Sequence, residues 1–155
     1  MEFKHRVEQK ESFQIIGRKK YMTYANEFWH DIVKMWEEWD ANGELEKLEK
    51  YSKDSKGVCI NLSFRSPSND DPERFAYVIG VKYNGIAHTE DYDIIPTPAG
   101  RYVVFDVPEK YRDDVGEFMG ATIEKHMPAL GFTHGDVEVE YFNGDTVEAW
   151  LLIKE

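Results

Sequence analysis

The segment from Arg101 to Ile153 repeats the plan of the segment from Phe13 to Tyr83: each reads as a strand, an amphipathic helix and two further strands. A tandem repeat of this kind limits the folds open to the chain. Neither unit can bury its apolar sheet face alone, so the two are expected to pair about a pseudo-twofold axis. The expected fold class is α+β: one curved antiparallel sheet, two main helices packed on it, and a central ligand cleft where the halves meet. With 155 residues, one domain spanning 1–155 is the default, its halves lying at about 12–83 and 101–153.

In the first half, Phe13, Ile15 and Ile16 open a strand that a polar turn around Arg18 to Lys20 ends. A helix then starts near Asn26, with Thr23 or Asn26 as its cap. Phe28, Ile32, Met35, Trp36 and Trp39 recur at three- and four-residue steps and draw one apolar stripe, which Asn42-Gly43 stops. The charged stretch ELEKLEKY reads as a short helical turn or an extended loop, its charges solvated. Val58, Ile60, Leu62 and Phe64 alternate with polar or small residues, as do Phe75, Tyr77, Ile79 and Val81 with theirs, so these two strands form an antiparallel hairpin. The stretch between Asn84 and Gly100 has no clear period and reads as a connector.

In the second half, RYVVFDV is a strand and a helix is expected from about Tyr111 to Met127, with Val115, Phe118, Met119, Thr122 and Ile123 inward. Asn143-Gly144-Asp145 is a strong hairpin signal between VEVEYF and VEAWLLI. Alternation places Glu148 on one face with Trp150 and Leu152, and Glu138 and Glu140 on the face opposite Val137, Val139 and Tyr141.

Composition narrows function. A net charge of −11 offers no basic face for phosphate neutralisation, so direct nucleic-acid binding is not expected. The one cysteine, Cys59, excludes disulfides and a cysteine metal site, and His5, His30, His88, His126 and His134 show no ligand spacing, so no metal and no cofactor are expected. The sequences GxSxG, GxxxxGK[ST] and GxGxxG are absent, which removes local support for a serine hydrolase or a nucleotide-binding loop. The charged start MEFKHRVEQKE carries no apolar leader, and the chain reads as cytoplasmic and not membrane-bound.

The two halves, the strand AGRYVVFDVP, the turn in GDVEVEYFNGD and the closing VEAWLLI together resemble the GyrI-like family. These are stand-alone or regulator-attached small-molecule-binding domains, also called AraC-type effector-binding or multidrug-binding domains, with a SOUL-like fold. The resemblance covers essentially the whole chain. It implies an aromatic-lined pocket between the two helices and the sheet, with a buried glutamate that binds lipophilic cations. The family's terminal pattern matches Glu148, Ala149, Trp150, Leu151, Leu152 and Ile153, with Leu152 where many members have proline. The preceding Glu-Tyr matches Glu140 and Tyr141. No helix-turn-helix segment is read before or after the repeat, so a direct transcription-factor role is not expected.

Glu148 and Glu140 are therefore the two candidates for the pocket carboxylate. Burial beside Trp150 would raise the pKa of Glu148, and an incoming cation at about 4 Å would gain on the order of 4 kcal/mol at an effective dielectric near 20, against desolvation. Aromatic walls would add about 0.5 to 2 kcal/mol. Trp150, Tyr102, Trp36, Trp39 and Tyr77 are the candidate walls, although Trp36 and Trp39 also satisfy the ordinary reading of an apolar helix stripe as core. Three functions fit: a module that senses or sequesters a hydrophobic, often cationic, small molecule, with links to transcriptional regulation or drug and toxin resistance; a hydrolase of cyclopropane-type toxins, in which Glu148 or Glu140 activates water; and an acidic protein inhibitor of the gyrase-directed type, which would need a protein partner.

Overall fold

The computed structural model describes residues 3–23, 28–52, 58–64, 74–86, 90–143 and 146–155, with the side chains of residues 28, 29 and 58–64 left aside. Strands β1 (His5–Lys10), β2 (Gln14–Thr23), β3 (Val58–Phe64), β4 (Arg74–Lys82), β5 (Asp93–Pro96), β6 (Gly100–Asp106), β7 (His134–Asn143) and β8 (Thr146–Ile153) form one antiparallel sheet in the order β1-β6-β8-β7-β3-β4-β2-β5. Helix α1 spans Phe28–Ala41, α2 Glu44–Leu48, α3 Val115–Ala121 and α4 Met127–Ala129.

The strand order is the repeat made visible. Reading outward from the centre, the second half gives β7, β8, β6 and the first gives β3, β4, β2, with β3 and β7 antiparallel across the axis. The flanking strands extend the symmetry and exchange places. β1 leads into β2 but pairs with β6, and β5 leads into β6 but pairs with β2. Residues 11–13 and 97–99 are the two crossings, and they meet. Thr97 N donates to Phe13 O at 2.8 Å, Phe13 N to Thr97 Oγ1 at 3.0 Å, and Ser12 Oγ to Thr97 O at 2.5 Å. Thr97 is buried, and these bonds satisfy it.

Such crossings require a curled sheet. In a flat one, Phe13 beside β2 and Trp150 on β8 would lie four strand spacings, roughly 19 Å, apart. Their ring centroids are 6.2 Å apart. Gly17 and Gly80 face each other across β2 and β4, where a Cβ on either would strike the other strand's backbone, so the close approach depends on both glycines.

Curling gives the sheet an inner face and an outer face. Ile15, Val78, Ile95, Tyr102, Val104, Val139 and Trp150 form the inner cluster. The helices cover the outer face in two groups. α1 and α2 pack Met35, Trp39 and Leu48 on Phe75, Tyr77, Ile79 and Val81 of β4, and α3 packs Phe118 and Met119 on Val103, Phe105, Ala149 and Leu151.

Several expectations are corrected. The charged start and the connector contain β1 and β5, and β2 runs straight through Arg18 to Lys20, where a turn was expected. Thr23 ends β2, and Asn26 lies outside the described residues. The second helix starts later than Tyr111: Asp114 caps it, accepting from Glu117 N at 3.0 Å, and it continues through a π-turn at Thr122–His126. In ELEKLEKY, Glu44 is not solvated. Its side chain is 8% exposed, accepts from the Tyr92 hydroxyl at 3.0 Å, and has Arg18 at 3.8 Å and Lys47 at 3.9 Å. Burial first, then the Glu44 carboxylate, push the Tyr92 phenol up to about 12.

Candidate functional site

The period-two alternation of the strands sorts five of the seven candidate residues onto opposite faces, and α1 adds Trp36 and Trp39 to the outer one. Tyr102, Glu148 and Trp150 belong to the inner face. Glu140, Trp36, Trp39 and Tyr77 belong to the outer, helix-bearing face.

On the inner face the carboxylate is already matched from within the chain. β1 pairs with β6 in the register Arg6↔Val104, which brings Arg6 toward β8. Arg6 Nη2 donates to Glu148 Oε2 at 2.8 Å, and Trp150 Nε1 donates to Glu148 Oε1 at 3.0 Å. Arg6 also pairs with Glu8, and Lys10 donates to Glu8 Oε2 at 2.8 Å. The two cations hold the Glu8 carboxyl below its usual range. The ring of Trp150 is likewise occupied: Tyr141 stacks on it at 4.9 Å between centroids, and the Lys10 ammonium sits 3.8 Å from its centroid. Tyr102 is 2% exposed, donates to Pro98 O at 2.6 Å, and has its phenol pushed up to about 12 by burial. A cation brought to this face would have to displace Arg6 and Lys10, which the β1–β6 ladder holds in place.

The outer face is arranged differently. On β7, Glu138, Glu140 and Phe142 alternate with the inward Val137, Val139 and Tyr141. Phe142 packs against both helical clusters, so β7 runs along the seam between the α1–α2 group and the α3 group. Glu140 lies two residues before Phe142 on this seam. It is half-buried, with the small, buried Ala149 beside it on β8 and position 61 beside it on β3. Glu138, one step further along, is also half-buried, with His134 Nε2 at 3.6 Å.

α1 supplies the aromatic wall. Ile32, Met35, Trp36 and Trp39 form its packed stripe, while Lys34, Glu37, Glu38 and Asp40 are exposed. Trp36 Nε1 donates to the Tyr77 hydroxyl at 3.1 Å and ties the helix to β4. Trp39 is 3% exposed, and its indole N–H has no acceptor among the described residues. An unpaired buried donor of this kind costs about 1 to 3 kcal/mol.

Sequence reasoning missed Arg6 and Lys10 because their partners are remote in the chain, and missed Phe142 because both of its neighbouring clusters had first to be assembled. Among the described residues no group of three or more His, Cys, Asp or Glu could hold a metal ion, and no helix is long and apolar enough to cross a membrane.

The sequence matches the GyrI-like small molecule binding domain over residues 3–149, and the chain belongs to that family. Solved structures share its fold. A provisionally described bacterial transcription regulation protein from Staphylococcus aureus MU50 superposes with a TM-score of 0.74 at 18% identity, covering 99% of this chain and 100% of its own. SAV2435, solved bound to tetraphenylphosphonium, gives 0.74 at 18% identity with 97% and 94% covered. An integron cassette protein from the mobile metagenome of Vibrio cholerae gives 0.63 at 15%, with 97% and 95% covered. No curated protein matches the sequence.

Proposed function

We propose that this domain binds a lipophilic, cationic small molecule on the outer face of the sheet, at the seam between the α1–α2 group and α3, and uses that binding to sense or sequester the compound. Glu140 is the pocket carboxylate in this reading. Trp36, Tyr77 and Trp39 form the wall on the α1 side, and Phe142 and Ala149 the floor. The observation that carries the choice is position: Glu140 lies half-buried on the helix-bearing face, on the seam between two apolar helical clusters that Phe142 joins. A half-buried carboxylate between two apolar clusters selects a cation by charge, and the clusters accept its apolar bulk by contact. Family membership and the tetraphenylphosphonium complex of SAV2435 support the same class of ligand.

The test is a thermal-shift panel of tetraphenylphosphonium against neutral triphenylphosphine oxide. The cation is expected to raise the melting temperature of the wild type and the neutral compound to do so much less. Glu140→Gln should remove the difference. Equal responses to both compounds would refute the charge-based reading.

A further inference from the structure

α1 presents two indoles less than a turn apart to the same cluster, with different fates. The Trp36 N–H has the Tyr77 hydroxyl at 3.1 Å, whereas the Trp39 N–H, in a residue only 3% exposed, has no acceptor among the described residues. Such orphans are rare in native proteins and call for an explanation. Bound water is a poor one here. A buried water needs two to four polar partners, and in the Trp39 cluster Ile16, Met22, Met35, Leu48, Phe75 and Ile79 offer none, the Tyr77 hydroxyl already accepts from Trp36, and Tyr92 donates to Glu44.

The cluster that holds this donor borders the proposed site, because Phe142 packs against it and lies two residues from Glu140 on β7. Ile79 of β4 pairs with position 61 of β3, and position 61 pairs with Glu140 of β7. Ile79, which shares the Trp39 cluster, is thus two strand spacings, roughly 10 Å, from Glu140.

We propose that the Trp39 indole is a specificity-determining donor kept for the ligand, so that the site prefers lipophilic cations carrying an oxygen acceptor on the side away from the charge. The proposal rests on the cation-binding reading of the same site. A ligand carbonyl or ether at Trp39 would accept the bond that its N–H does not make among the described residues. A ligand without an acceptor would bind by charge and contact alone, leaving the donor unpaired.

The experiment compares three probes by calorimetry: tetraphenylphosphonium, para-acetylphenyl triphenylphosphonium, and its para-isopropenyl isostere, which has the same shape and no oxygen. Wild type is expected to bind the acetyl compound about tenfold tighter than the isostere. Trp39→Phe should lose that preference while still binding tetraphenylphosphonium. A second readout does not depend on the variant folding: in a nitrogen-15 spectrum, the Trp39 indole N–H, assigned through its contacts with Ile79 and Met35, should move downfield with the acetyl compound and not with the isostere. Equal affinities and an unmoved indole signal in a protein that binds tetraphenylphosphonium would overturn the inference and leave the cation site standing. Binding of none of the three would refute the cation reading and this inference with it.

Discussion

The two faces of the sheet carry the same ingredients, a glutamate beside aromatic rings, and put them to different uses. On the inner face the chain completes its own chemistry: Arg6 meets Glu148, Lys10 covers Trp150, and Tyr102 is bonded to Pro98. On the outer face Glu140 lies on a seam, and the Trp39 indole in the α1–α2 cluster has no acceptor among the described residues. In the proposed reading, residue type and burial do not separate the structural carboxylate from the ligand-binding one, and the layer each faces does.

The difference depends on curling, so the largest effect should come from Gly17→Ala. The added Cβ would strike the Ile79 carbonyl of β4. The expected loss is about 3 kcal/mol or more, or failure to fold, read by denaturant unfolding. A change below about 0.5 kcal/mol would mean that the β2–β4 approach does not set the curvature.

Arg6→Met separates the faces more finely. It removes the guanidinium from a Glu148 whose side chain is only 21% exposed. Arg6 itself is 46% exposed, so solvent screening limits the loss to about 1 kcal/mol. Ligand affinity on the outer face should stay unchanged in calorimetry. A fall in affinity equal to that of an outer-face variant would dissolve the distinction.

The inner face should also carry an alkaline signature. Tyr102 is held neutral by burial, its phenol raised from 10.0 to about 12. A raised folded-state pKa means that its contribution is fully present below pH 10 and is lost as pH rises toward 12, because only the unfolded chain ionises there. Tyr102→Phe should flatten this part of the stability profile, measured by urea unfolding across pH 9 to 12 beside the wild type. Tyr92, raised likewise, will leave a residual slope.

Much of this was legible in the sequence. Alternation in VEVEYF and VEAWLLI put Glu148 with Trp150 and opposed Glu140 to Tyr141, and both parities hold in the structure. The stripe of Ile32, Met35, Trp36 and Trp39 also packs as read. Which parity faces the helices was not legible, because β6 and β8 are apolar on both faces and alternation gives no sign of which layer covers which. β1 was hidden because HRVEQK is the charged sequence of an edge strand, and β5 because four residues are too few to show a period. The role of Arg6 was out of reach for a plainer reason: it lies 142 positions from Glu148, and only the exchanged crossings bring them together. Glu44 was hidden in a run of charges whose average behaviour is solvation, while its own position lies under Tyr92.

The most direct test is the affinity of tetraphenylphosphonium for wild type, Glu140→Gln and Glu148→Gln, measured by isothermal titration calorimetry at one ionic strength. Removing the carboxylate that meets the cation should weaken binding by about tenfold or more, while removing one already paired with Arg6 should change it by less than about twofold. Glu140→Gln is therefore the expected weak binder. The reverse order, with Glu148→Gln losing the ligand and Glu140→Gln keeping it, would place the site on the inner face and contradict the division of labour described above.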